Sequence, residues 1–145
     1  MATPNYAGAT WNPWESTVPL EIDGDYQIAS RGAAQINYVV LHTTEGNSAY
    51  DAVSHWAKDA DAAAHYIVDG GTVYQVVSDK NIAYHATNFQ YNAASIGIEI
   101  VGFAGNQSTV SELELQTVAD LVRWLCSTSL LSGVFRTNRS EVSDL

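Results

Sequence analysis

The sequence predicts a single α/β domain, a central mixed β-sheet flanked by helices, and three observations carry that prediction. The β-branched run Tyr38-Val39-Val40-Leu41 stops at His42-Thr43-Thr44-Glu45-Gly46. This is the pattern of a strand buried on both faces that delivers one imidazole to the sheet edge where a loop begins. Two short β runs, Ala64 to Val68 and Thr72 to Val77, flank Asp69-Gly70-Gly71, a hairpin signal because glycine supplies the positive φ such turns need. Ser111-Glu112-Leu113-Glu114 spells a capping box, and Leu115, Val118, Ala119, Val122 and Leu125 follow at helical spacing as an apolar face directed at the core.

The other elements fit between these. Residues 1–34, rich in Pro, Asn, Gly and aromatics, read as an extended arm packed on the body by Trp11 and Trp14; the domain proper spans 35–145. Ile36 to Leu41 is the first strand. Ser48 can cap a helix through Ala52, Val53, His55 and Trp56 to about Ala57. Ile82 to Tyr84 makes a brief strand, and Ser95 to Val101 another. Strands thus alternate with helices, with one hairpin in the middle and no repeats or low-complexity tracts.

Composition narrows the function. A 145-residue chain with 46% hydrophobic and 15% charged residues is one globular domain with a real core. No apolar run approaches the roughly 18 residues that span a bilayer. Met1-Ala2-Thr3-Pro4-Asn5 has neither a basic region nor an apolar core, so no signal peptide is expected there and work outside the cytoplasm would need another route of release. The net charge of -10 argues against nucleic-acid binding and against docking on an anionic surface. One cysteine, Cys126, excludes an intrachain disulfide; beside Leu121, Val122 and Leu125 it reads as a buried, inert thiol.

Four groups could carry chemistry: His42, His65, His85 and Glu99. A carboxylate inside Ile96-Gly97-Ile98-Glu99-Ile100-Val101 needs a reason. In a central strand it would be buried or open into a cleft, where burial raises its pKa toward that of a general base; the alternative is a strand-end position facing solvent or an arginine. His65 opens a strand, and His85 precedes the loop Thr87 to Asn92; each alone reads first as a hydrogen-bonded structural histidine and second as a ligand. His55 sits in a helix as a surface or packing residue. Neutral imidazole is the commonest protein ligand for zinc and a general acid/base near neutral pH, so a metal at His42 and a base at Glu99 are both open.

Five blocks in order resemble a known family: Tyr38-Val39-Val40-Leu41-His42-Thr43-Thr44, Ala64-His65-Tyr66-Ile67-Val68-Asp69, Gly71-Thr72-Val73-Tyr74-Gln75-Val76-Val77, Ala83-Tyr84-His85-Ala86 and Ser95-Ile96-Gly97-Ile98-Glu99-Ile100-Val101-Gly102. They look like the zinc-dependent N-acetylmuramoyl-L-alanine amidases of type 2, a family that includes phage endolysins and is related to peptidoglycan recognition proteins. The resemblance runs from about Ile36 to Cys126. It implies cleavage of the amide between the lactyl group of N-acetylmuramic acid and the L-alanine of the stem peptide, at the bacterial cell wall. A zinc ion would polarise the carbonyl and acidify a bound water, and a carboxylate would shuttle the proton. By the same resemblance His42 matches the first zinc ligand and Glu99 the general base. His85 and Asn92, with Thr43, fall where the substrate groove is lined, and His65 matches a histidine that is not a ligand.

The sequence departs from the family near its end. The family's second ligand is a histidine preceding Ser-Glu-Val; here Arg139 precedes Ser140-Glu141-Val142. The third ligand, Asp or Cys beside Pro-Gly, has no counterpart, since Asp144 comes too early, and the domain is expected to lack its C-terminal end. Arginine stays protonated and offers no lone pair, whereas a catalytic zinc takes about three protein ligands and a vacant position. Two functions therefore stand: a zinc amidase, and a peptidoglycan-binding module that does not cut. Arg139→His is expected to raise zinc affinity in a direct titration; unchanged metal content would place the second ligand elsewhere.

Overall fold

A computed structural model describes residues 2–20, 28–58 and 62–128. The strands are β1 (Ala9–Trp11), β2 (Ile28–Ser30), β3 (Tyr38–Thr43), β4 (Tyr66–Asp69), β5 (Thr72–Gln75), β6 (Asn81–Ala83) and β7 (Ser95–Ile100). The helices are α1 (Ala49–Lys58), α2 (Phe89–Ala93) and α3 (Glu112–Ser127). Five strands form one mixed sheet in the order β1-β5-β4-β7-β3, and β2 pairs with β6 in a small separate ribbon. Strand β7 runs parallel to both β3 and β4, while β4 and β5 form the expected hairpin across Gly70-Gly71. Gly70 has φ +59, the left-handed conformation that glycine adopts without cost. No described helix is long and apolar enough to cross a membrane.

The two faces of the sheet are built by period-two alternation. Ile96, Ile98 and Ile100 of β7, with Tyr66 and Val68 of β4, turn to one face and pack under Val118, Leu121 and Leu125 of α3. Ile67 turns to the other face and packs with Ala49, Ala52, Val53 and Trp56 of α1. Glu99 pairs in register with Ile67 on one side and His42 on the other, so it shares the α1 face.

Several expectations need correcting. Strand β3 is not buried on both faces; it is an edge strand of the described sheet, with Leu41 45% and Tyr38 38% exposed. The capping box at Ser111 and Glu114 forms, but the buried stripe of α3 is Glu114, Val118, Leu121 and Leu125; Leu115 is exposed. The helix is rotated because its first turn is tied to the hairpin: the Gly70 amide donates to Glu114 Oε1 (3.2 Å), and Leu113 packs on Gly71. That rotation carries Cys126 to the surface instead of the core. The arm supplies strands, β1 extending the sheet beside β5 and β2 pairing β6, and of its tryptophans Trp14 stacks against Tyr50 and Tyr74. Arg139 and Asp144 lie outside the described residues.

Arg31, just after β2, holds the connections together from inside. It is 6% exposed and donates to the carbonyl oxygens of Asp79, Asn81, Asn92, Ala93 and Ser95. Burial lowers its pKa to about 10, against which the nearby Asp79 charge works. Asp79 in turn accepts from Tyr66 and Gln75, and Asn5 of the arm bonds both Gln75 and the Asp79 amide. Arg31→Ala would leave these carbonyls and the Asp79 carboxyl short of a buried cation. We expect a loss of about 3 kcal/mol or more in urea unfolding; a loss under about 1 kcal/mol would show that water replaces the guanidinium at no cost.

Candidate functional site

His42 and Glu99 are register partners near the C-terminal ends of the adjacent parallel strands β3 and β7. Ligands collect at that end of parallel strands because the following loops diverge there and leave a crevice. A cleft of about 470 Å³ opens beside Glu99, which is one of its lining residues. Its walls come from Trp56 of α1, from Ala62 and Ala63, and from Tyr84 of the β6–α2 connection and Phe89 of α2, whose rings lie 5.9 Å apart.

Glu99 is the anomalous group. Its Oε2 is buried with no hydrogen-bond partner among the described residues. Burial, and secondarily the charge of Glu45, push its pKa up to about 8. Glu45 itself is held ionised, because Thr43 Oγ1 and the Ala104 amide both donate to its Oε1. A carboxyl left in this state is short of a proton donor or a cation.

The histidines form a second ladder on the same face. His42 Nε2 lies 3.0 Å from His85 Nδ1, and His85 Nε2 lies 2.9 Å from Ser95 Oγ. The His85 ring lies across Gly97, and a Cβ there would stand 2.4 Å from His85 Cγ. Only glycine at this register position lets the ring lie on the sheet. Burial, reinforced by the neighbouring His65, His42 and Arg31, keeps the His85 pKa far below the usual imidazole range; burial lowers that of His42 as well.

His65 is fully buried and spent on structure. The Gly97 amide donates to its Nδ1 (3.0 Å), so Nε2 carries the proton and donates to the Asn81 carbonyl (2.9 Å). Arg31 Nη2, 3.0 Å from that Nε2, is a second donor aimed at the same carbonyl. Burial brings the His65 pKa down to about 3.

The structure therefore brings His42, His85 and Glu99 to one face of the sheet, with Asn92 behind them. Asn92 lines the cleft, but its side chain is committed: Oδ1 accepts from the amides of His85 and Ala86, and Nδ2 donates to the Ala86 carbonyl. Both ring nitrogens of His85 are likewise engaged, and Thr43 Oγ1 is bonded to Glu45. Sequence reading missed the aromatic wall and Ser95. Ser95, Gly97 and Glu99 stand two apart, a period that marks them as neighbours on one face.

A metal fits part of this arrangement. With Nε2 facing His85, the Nδ1 of His42 has no partner among the described residues, and the orphaned Glu99 oxygen lies on the same face. The described residues contain no group of three His, Cys, Asp or Glu side chains able to hold an ion. They thus offer one ligand and one proton acceptor, not a full coordination sphere.

The raised Glu99 pKa has a consequence for stability. Between the unfolded carboxyl value near 4.5 and the folded value of about 8, the folded state holds the extra proton. The contribution of Glu99 to stability is thus present below the lower value and is lost as pH rises through the upper one. In chelator, Glu99→Gln is expected to be more stable than the parent at pH 9 by on the order of 2 kcal/mol and equal to it near pH 4; parallel pH profiles of melting temperature would show that the carboxyl is solvated.

Comparison with known proteins agrees with this architecture. Residues 32–135 match the sequence profile of the family described as N-acetylmuramoyl-L-alanine amidase. No curated protein sequence matches the chain. Among solved structures, peptidoglycan recognition protein-LE in complex with tracheal cytotoxin is similar at a TM-score of 0.64 and 19% identity, over 90% of this chain and 81% of that one. PGRP-SA of Apis mellifera gives 0.54 and 23%, over 66% and 65%. The N-acetylmuramoyl-L-alanine amidase LysC from Clostridium intestinale gives 0.52 and 22%, over 63% and 62%. The chain thus spans about two thirds of the length of the last two. The matched profile covers most of the chain and the sheet topology carries it, so this protein belongs to the N-acetylmuramoyl-L-alanine amidase family, Amidase_2.

Proposed function

We propose that the chain acts on bacterial cell-wall peptidoglycan by hydrolysing the amide between N-acetylmuramic acid and L-alanine. The observation that carries this reading is the buried, unpartnered carboxyl of Glu99, which lines the cleft and is the register partner of His42. A carboxyl whose pKa is raised to about 8 is, once ionised, a better proton acceptor than an ordinary carboxylate, which favours deprotonating a water. In the proposed reaction Glu99 takes the proton of the attacking water and returns it to the departing amine of L-alanine. His42 would hold a zinc ion, which would supply carbonyl polarisation and a more acidic water. The walls suit the uncharged sugar–amide junction: Trp56, Tyr84 and Phe89 offer ring faces, and among the described residues no lysine or arginine lines the cleft.

A second reading, a module that binds peptidoglycan without cutting it, is favoured by a separate observation. Three metal ligands are not assembled among the described residues, and in the sequence Arg139 stands where the family's second histidine would be. One relative of the same fold, peptidoglycan recognition protein-LE, was solved bound to a monomeric peptidoglycan fragment.

The two readings separate in one experiment. Purified walls are incubated with the protein in zinc or in chelator, and new L-alanine amino groups are counted alongside the protein that co-sediments. The amidase reading expects zinc-dependent release that falls by about 10²-fold or more in Glu99→Gln, with wall binding retained. Co-sedimentation without release in zinc selects the binding module, and neither release nor co-sedimentation overturns the wall as target.

A further inference from the structure

We propose that Phe89 is a specificity-determining residue: its ring is the platform on which the cleft seats the pyranose of N-acetylmuramic acid, so that the sugar and not the stem peptide takes the aromatic wall. The proposal rests on the reading of peptidoglycan as the substrate, and it assigns one side of the scissile amide to one wall.

A single exposed apolar side chain is ordinary on a protein surface. The setting of Phe89 is not. It is 55% exposed, it lines the cleft, and its ring stands 5.9 Å from that of Tyr84 at an interplanar angle of 40°, so two rings share one wall. It is also the first residue of α2, a helix of five residues, too short to persist by its own hydrogen bonds. Polar groups fasten that helix instead. Asn88 caps it by accepting from the Gln90 and Tyr91 amides. Asn92 bonds the His85 and Ala86 amides and the Ala86 carbonyl, and Arg31 donates to the Ala93 carbonyl at the far end. The helix therefore carries the Phe89 ring at a fixed place before a ligand arrives, which lowers the ordering cost of binding.

The scissile amide joins two chemically different halves. One is a sugar that carries no charge and presents C–H groups on the faces of its ring. The other is a peptide with ionisable groups. Among the described residues that line the cleft, Glu99 is the one acidic side chain and no lysine or arginine is present, so a stem carboxylate would find no cation there. The aromatic wall suits the sugar. Its C–H groups can lie on the electron-rich ring face, apolar area leaves water, and the hydroxyls around the pyranose edge stay solvated. Trp56 is 7% exposed and Tyr84 is half-buried, so Phe89 offers the most ring surface for a ligand to cover.

The test is an NMR titration of the full chain in chelator with two probes that differ only in the sugar: N-acetylmuramoyl-L-alanyl-D-isoglutamine and N-acetyl-L-alanyl-D-isoglutamine. The wild type is expected to bind the sugar-bearing probe about tenfold more tightly. Phe89→Ala is expected to remove that preference by weakening the sugar-bearing probe alone, and Phe89→Trp to keep it. In the wild type, saturation of the aromatic protons is expected to transfer most strongly to the pyranose ring protons; transfer to the peptide protons instead overturns the proposal, and this arm needs no variant to fold. Equal weakening of both probes by Phe89→Ala, or no weakening of either, overturns it as well. A wild type that binds neither probe, or both alike, also overturns it, and if that protein still co-sediments with walls the wall remains the target. Loss of co-sedimentation as well takes the proposed function down with it.

Discussion

The in-register parallel pairing of β3 with β7 is the constraint on which the site depends. Residue by residue it sets Tyr38 beside Ser95, Val40 beside Gly97 and His42 beside Glu99. Because side chains alternate along a strand, these three pairs share one face, and the isoleucines between them share the other. A slip by one residue would send Glu99 beneath α3 and bring Ile98 and Ile100 into the cleft. The isoleucine layer under Val118, Leu121 and Leu125 is what forbids the slip. The candidate site and the hydrophobic core are thus two sides of one strand.

A second constraint works at right angles to the sheet. Polar groups hold the β6–α2 connection that carries His85 and the helix α2 that carries Asn92. Asn92 ties the β6–α2 connection to the helix it precedes, and Arg31 reaches across five carbonyls to join both to β7. Such a network is strong only when every member is satisfied. Here Asp79, Gln75, Tyr66 and Asn5 complete it, so the residue most exposed to loss is the one that joins most partners.

What the sequence made legible follows from the range of each interaction. His42 and Glu99 could be found because each interrupts an apolar run, a local signal. The hairpin and the capping box are likewise local, and both formed. Helix α2 was hidden in a stretch that reads as loop, although Asn88 before it accepts from the Gln90 and Tyr91 amides as a helix cap does. Arg31 could not be read at all: its partners are carbonyls 48 to 64 residues away, and carbonyls leave no mark on the sequence. The buried stripe of α3 was misplaced because a contact from the Gly70 turn to Glu114, not the helix's own pattern, sets its rotation.

The rotation of α3 leaves Cys126, the only thiol in the chain, on the outer surface of a helix that packs against the face of the sheet opposite the cleft. A fluorophore or spin probe attached there would sit on a rigid element, separated from Glu99 and His42 by the full thickness of the sheet. The protein thereby carries a native attachment point for an optical or magnetic reporter, usable without engineering and remote from the chemistry it would observe.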